Sequence, residues 1–294
     1  MKKLTLLLLA LLYVTLTYAY TERDLLQKQA DINRLKEILV LDRQWVTYPD
    51  YNDRAGWDRF LGTFKDEYIR RGEKRLNYQW QVVKATDYLA FERTGNRQIM
   101  EKPFGANNGA IADLLMAELA EGKGRFVDQL INGVFNACEM TSWALAAHII
   151  VQPSHRALPA YDYPVIDLTS GDLGGLLAWT YHFMRPSFDK VDPEISRRLR
   201  HELQTRILDP YMNNDSFWWM GRNYNGRMLN NWNPWCNSNA LMCFMLLEDN
   251  RDTLAKAVHL TMESVDKFLN YIKADGACEE GPSYWGHAAG KTLD

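Results

Sequence analysis

The stretch ERDLLQKQADINRLKEIL, residues 22–39, sets Leu25, Leu26, Ile32, Leu35, Ile38 and Leu39 at spacings near three and four. That is the period of an amphipathic helix and not of a strand. Outward from it, the same texture predicts helices over 56–71, 108–120, 124–147, 171–184, 193–208, 236–247 and 252–272, with a last one opening near Pro282. Strand-like alternation is confined to 78–83 and 88–91. The chain therefore reads as all-α. Antiparallel helix pairs joined by long loops fit a bundle, a solenoid or an α/α toroid whose inner helices surround a cleft. No repeat at a fixed interval is visible, which disfavours a regular solenoid. The loops over 152–164, 213–234 and 275–282 are rich in Trp, Asn, Gly and Pro, and loops on a helical scaffold are where function is usually displayed.

Composition narrows the class. With 294 residues, 47% hydrophobic and 24% charged, the chain can bury a large core, which excludes a disordered tail. Lys and Arg number 34 against 37 acidic residues, a net charge of -3, so a nucleic-acid binder relying on a broadly basic surface is excluded. The 10 Trp and 15 Tyr supply flat faces of the kind that stack on sugar rings, although ordinary packing accounts for most of them.

Lys2 and Lys3, the apolar run from Leu4, and Thr17 and Ala19 at the positions a signal peptidase reads form a secretory signal over 1–19. Cleavage after Ala19 removes the two lysines and takes the net charge from -3 to -5. The apolar run is shorter than the roughly 20 residues a membrane span needs. The expected location is the periplasm or the exterior, with no membrane attachment after cleavage. Cys138, Cys236, Cys243 and Cys278 are too few for a disulfide framework in so long a chain and lack zinc-ligand spacing, so no metal is expected from them.

Three segments carry candidate chemistry: CEMTSW at 138–143 followed by His148, read as one long helix; LNNWNPWCN at 229–237; and DGACEEGPSYW at 275–285. None is a phosphate loop, a dinucleotide fingerprint, HExxH or GxSxG, which removes those enzyme classes. Asn-rich turns are often only turns and caps. Two Trp beside four Asn nevertheless combine a stacking face with directed amide donors, the chemistry that grips a polar sugar. His148 by itself reads as a core histidine with its hydrogen bonds met.

Together the signal, the CExTSWxxxxH-like stretch, NNWNPWCN and DGxxxEGxxYW resemble the heparinase II/III-like polysaccharide lyases, over most of the mature chain. The resemblance implies an α/α toroid over 20–294, followed in that family by an antiparallel β-sandwich. On this comparison the chain ends at Asp294 with the toroid incomplete and the sandwich missing, together with a later histidine and a structural metal that the sandwich can hold. No cofactor is expected in this chain. The implied partner is an acidic, uronate-containing polysaccharide.

Such lyases act by β-elimination. The C5 proton of a uronate is only weakly acidic beside a negative carboxylate, so donors must neutralise that carboxylate while a base removes the proton. The resemblance assigns the donor to Asn231 and the base to Tyr284, whose phenol then returns the proton to the leaving oxygen. A phenol titrates near pH 10 in water, so it must be activated. Glu280 lies four residues before Tyr284, on the same face if the helix has already begun, as orienter or cap. Trp232 and Asn233 are expected sugar contacts, and Glu139, Trp143 and His148 are expected to line the same cleft. Arg222 and Arg227 offer bidentate groups for carboxylate or sulfate, or are plain surface arginines.

Two other functions fit the residues. A glycoside hydrolase on a helical toroid would use two carboxyl groups from among Glu139, Asp275, Glu279 and Glu280. A secreted glycan-binding protein would use the Trp and Asn clusters without cleavage.

Overall fold

The computed structural model describes residues 22–223, 228–272, 276 and 280–293, and among them every regular element is helical. The expected signal over 1–19, together with Arg227, Asp275, Cys278 and Glu279, lies outside the described residues.

The first helix, α1 (Ile32–Ile38), is far shorter than the predicted 22–39. Asp31 caps it by accepting the Arg34 N–H at 2.8 Å, and upstream of that cap the chain is held by something other than its own period. The fully buried Asp266 carboxylate accepts the N–H groups of Leu26 and Gln27, each at 2.9 Å. Backbone donors captured by a remote carboxylate cannot also close a helical turn.

Next come α2 (Arg54–Leu61) and α3 (Lys65–Glu73), separated by a tight turn over Gly62–Phe64, close to the predicted 56–71. Neither expected strand forms. The backbone at Gln81 is paired to the Asn107 side chain, which accepts its N–H at 3.0 Å and donates to its C=O at 2.8 Å. Residues 88–91 fall inside α4 (Ala85–Thr94). An amide side chain that satisfies both backbone groups removes any need for a neighbouring strand.

The long helix α5 (Gln98–Glu121) has 24 residues and so spans about 36 Å. It ends at Gly122, whose left-handed φ of 67° lets its N–H return to Glu118 O at 2.7 Å. A Cβ on Gly72 of α3 would come within 2.1 Å of the Ala117 Cβ, so α3 and α5 touch almost backbone to backbone. The buried Glu118 carboxylate accepts the Tyr51 hydroxyl at 2.6 Å and the Gly124 N–H at 2.8 Å, which ties α5 to the loop before α2 and to the loop that follows α5. Burial, reinforced by Glu118, pushes the Tyr51 phenol up to about 12.

Predicted as one helix, 124–147 is instead α6 (Val127–Glu139) followed by a folded loop, with Met140 turned to ψ 139°. Arg206 donates to Met140 O at 2.8 Å, Tyr88 donates its hydroxyl to Ser142 O at 2.9 Å, and Asp167 accepts the Leu145 N–H at 3.0 Å. Three side chains from distant elements thus compete successfully for the backbone groups that another helical turn would use.

Asp167 also opens α7 (Leu168–Val191), accepting the Ser170 N–H at 2.7 Å while Ser170 Oγ accepts the Asp167 N–H at 2.8 Å. Asp192 closes α7 and caps α8 (Pro193–Leu203), which continues through a wider turn over Gln204–Leu208 into α9 (Asp209–Asn213). Trp218–Met220 makes one tight turn, then α10 (Trp232–Leu247) and α11 (Arg251–Leu269) form a hairpin. After it come a short turn over Pro282–Tyr284, a wide turn over Gly286–Gly290, and α12 (Lys291–Leu293).

Each helix packs on its neighbour in the order α3, α5, α6, α8, α7, α10, α11, α1, with one buried apolar cluster running from Trp57 to Ala257. Glycines 171 and 175 of α7 face Asn239, which lets α10 lie close against α7 at the end where Asp167 and Trp232 open their helices. That end holds the candidate site. Among the described residues no helix is long and apolar enough to cross a membrane.

Candidate functional site

The heads of α7 and α10 lie side by side, so their first-turn side chains share one surface. At the head of α10, Asn231 is buried and its backbone N–H donates to Glu280 Oε2 at 3.1 Å. Among the described residues none hydrogen-bonds the Asn231 side chain, so its amide keeps its donors for another partner.

Glu280 does not share a helix face with Tyr284, contrary to the i to i+4 expectation. Gly281 intervenes at φ 73°, and the turn that holds Tyr284 starts only at Pro282. The carboxylate instead reaches back to α10. Tyr284 is exposed, with its ring 6.0 Å from that of His287, and His287 lies flat on Trp235 at 4.1 Å and 5°. Trp235 is oriented in turn by Asp172, which accepts its indole N–H at 2.7 Å and the Asn239 amide at 2.8 Å.

Trp232 is half-buried, its ring 4.7 Å from the His148 imidazole and 5.4 Å from Trp218. His148 Nδ1 lies 2.7 Å from Asp167 Oδ2, so the carboxylate selects the tautomer with its proton on Nδ1. Asp167 is fully buried and accepts from Leu145, Thr169 and Ser170 as well, which fixes its oxygens in place. On the far side of the ring, Arg97 Nη2 stands 3.4 Å from His148 Nε2. His148 therefore has its hydrogen bonds met, but in the wall of a site and not in the core.

Asn233 and Trp143 are buried and hydrogen-bonded within the fold, and Glu139 lies elsewhere. Asn233 is fully buried, its amide donating to Trp219 O at 2.7 Å and to Ser264 O at 3.0 Å, which locks α10 onto α11. Trp143 is buried, its indole N–H donating to Ala137 O at 2.8 Å beneath the Arg206 guanidinium. It borders a separate cavity of about 260 Å³ lined also by Thr141, Tyr161 and His201. Glu139 is exposed and pairs with Arg198 at 3.2 Å, away from the partners of Asn231 and Trp232. Arg222 closes its own loop by donating to Tyr211 O at 2.8 Å. Arg227 lies outside the described residues, and so do Asp275 and Glu279 of the hydrolase set.

Sequence reasoning missed Asp167, Asp172, Arg97, Trp218 and His287, and named Trp235 only as part of its motif. A reciprocal cap at Asp167 was legible from Ser170 three residues on, but nothing local marks it as the partner of His148. His287 stood three residues beyond Tyr284, the one spacing signal available.

Other chemistries are weakly served. Burial pushes the Cys138 and Cys243 thiols up to about 12 and holds Cys236 well above the ordinary thiol range, so none is a nucleophile near neutral pH. Among the described residues no group of three His, Cys, Asp or Glu is placed to hold a metal ion. No protein-family model and no curated protein matches the chain.

Proposed function

We propose that this protein is a secreted or periplasmic polysaccharide lyase that cleaves uronate-containing chains by β-elimination, with the helix pairs forming part of an α/α toroid. The observation that carries the reading is the Glu280 to Asn231 hydrogen bond at 3.1 Å, because it joins the segment bearing Tyr284 to the Asn- and Trp-rich head of α10. The two motifs on which the lyase resemblance rests thus meet at one surface.

In this mechanism a uronate ring stacks on an indole face of that surface, Trp232 or Trp235. The Asn231 amide donates to the uronate carboxylate, and that bond strengthens as negative charge builds there in the transition state. Tyr284, as phenolate, takes the C5 proton. Electrons from the broken C–H bond form the C4=C5 double bond while the C4–O bond breaks, and the phenol returns its proton to the departing oxygen. Exposure of Tyr284 leaves it open to substrate, and in this reading His287, its ring 6.0 Å away, takes the phenol proton beforehand.

The test is ultraviolet absorbance of the conjugated C4=C5 bond during incubation with heparin, chondroitin and alginate, for wild type and Tyr284→Phe. A rise with wild type that is lost in the variant is expected. Accumulating reducing ends without that absorbance would overturn the reading in favour of hydrolysis, and binding without any cleavage would make the protein a glycan-binding one.

A further inference from the structure

Arg97, at the start of α5, is a charged group beside His148 that the elimination leaves unused. Its guanidinium is fixed from behind, Nε on the Glu101 carboxylate, which Gln98 steadies at 3.0 Å. In front, its Nη2 faces His148 Nε2 at 3.4 Å, and the His148 ring in turn lies 4.7 Å from that of Trp232. Both carboxylates of this group sit on the outer sides, Glu101 behind the arginine and Asp167 behind the imidazole at 2.7 Å. Two nitrogens therefore converge near an aromatic side chain with no acid of the described residues between them.

We infer that Arg97 and His148 read an acidic substituent, carboxylate or sulfate, on a sugar stacked against Trp232, and that its binding is coupled to uptake of one proton by His148. The inference rests on the proposed action on acidic polysaccharides and adds a subsite to it. The coupling follows from donor accounting. With one proton on the ring, Asp167 claims it at Nδ1 and Nε2 is only an acceptor, suited to the Arg97 N–H and closed to an anion. Once Nε2 is protonated from solvent, it and the Arg97 fork are both donors, and an oxyanion can accept from each in charge-assisted bonds.

Among the described residues the charged and titratable groups facing the imidazole are Asp167 from the head of α7 and Arg97, backed by Glu101, from α5; Trp232 from α10 carries no charge. Asp172, one turn along α7, is engaged by Trp235 and Asn239.

The experiment is calorimetric titration of the full chain carrying Tyr284→Phe, so that nothing is cleaved. The probes are a chondroitin sulfate tetrasaccharide, its desulfated form, its carboxyl-reduced form, and a neutral chitin tetrasaccharide. Affinity for the acidic probe is expected to fall as the pH is raised, by at most about tenfold per unit, with up to one proton taken up per ligand in paired buffers. Arg97→Gln is expected to weaken binding about tenfold, and His148→Gln to abolish the pH dependence, while the neutral probe responds to neither. The derivative that loses the effect identifies the group read.

Equal affinity for acidic and neutral probes, no acidic binding, or pH-independent binding with His148 intact would overturn the inference. Arg97 is partly exposed and its variant is expected to keep the wild-type unfolding midpoint, so its loss of binding is not a folding defect. Failure of the lyase reading shows separately, as missing double-bond absorbance with wild type.

Discussion

Glu280 Oε2 accepts the Asn231 N–H at 3.1 Å across 49 residues of sequence. A carboxylate at the head of α10 also complements the positive end of that helix. Glu280→Ala is therefore expected to release the Tyr284 segment and lower kcat more than tenfold, whereas Glu280→Gln, which keeps an acceptor oxygen, retains most of it. Hydrogen bonds to charged groups contribute about 1.5–3 kcal/mol, which sets the size of the loss. Initial rates by double-bond absorbance, with near-ultraviolet circular dichroism for folding, would show it; equal rates for both variants would remove Glu280 from the site.

Trp232 and Asn233 are neighbours with opposite fates. Trp232→Ala is expected to raise KM by about tenfold, by loss of stacking, at little cost in stability. Asn233→Ala is expected to lower stability by about 1–3 kcal/mol, since it strips donors from the Trp219 and Ser264 carbonyls, and to leave KM alone. Urea unfolding beside steady-state kinetics separates the two.

Trp143 belongs with Asn233. Its replacement by Ala is expected to cost about 3–5 kcal/mol as a core cavity, with the specific activity of the folded fraction unchanged.

Asp167 holds more of the fold than any other single carboxylate near the site, since it caps α7, anchors the loop at Leu145 and orients His148. Asp167→Ala is expected to lower the urea midpoint by the equivalent of about 2–4 kcal/mol, combining a lost cap with a buried N–H left without its acceptor. Asp167→Asn, which keeps one acceptor oxygen, should lose less.

The buried thiols predict an alkaline limit. Burial pushes the folded Cys138 and Cys243 thiols up to about 12 from the ordinary 9.0. The neutral thiol is thus favoured by the folded state. Their contribution to stability is complete below pH 9.0 and is lost as pH rises from there toward about 12, because only the unfolded chain releases the protons in that window. Urea midpoints measured upward from pH 8 should fall across it, and Cys243→Ala should flatten the fall. A thiol reagent at neutral pH should label neither residue until the chain unfolds.

Periodicity alone determined that the chain is helical and where most helices run, because a 3.6-residue repeat of apolar side chains reports which face of a helix must be buried. It also assembled LNNWNPWCN and DGACEEGPSYW as the segments with chemistry in them, since crowding of Asn, Trp and acids is a local property. What it had no means of deciding was which members of those segments face a ligand. Asn231 and Asn233 differ by two positions and therefore by more than half a helical turn, so one presents its amide at the helix head while the other is spent inside.

Only the packed structure decided three further matters, each for a physical reason that lies outside any local window. Residues 124–147 break after Glu139 because Tyr88, Asp167 and Arg206 capture the backbone of the loop that follows. His148 acquires Asp167 as a partner 19 residues away because that loop folds back over the head of α7. Arg97 comes to the same imidazole from 51 residues upstream, placed there by the packing of α7 against α5 and against α10 and by nothing in the neighbourhood of either residue.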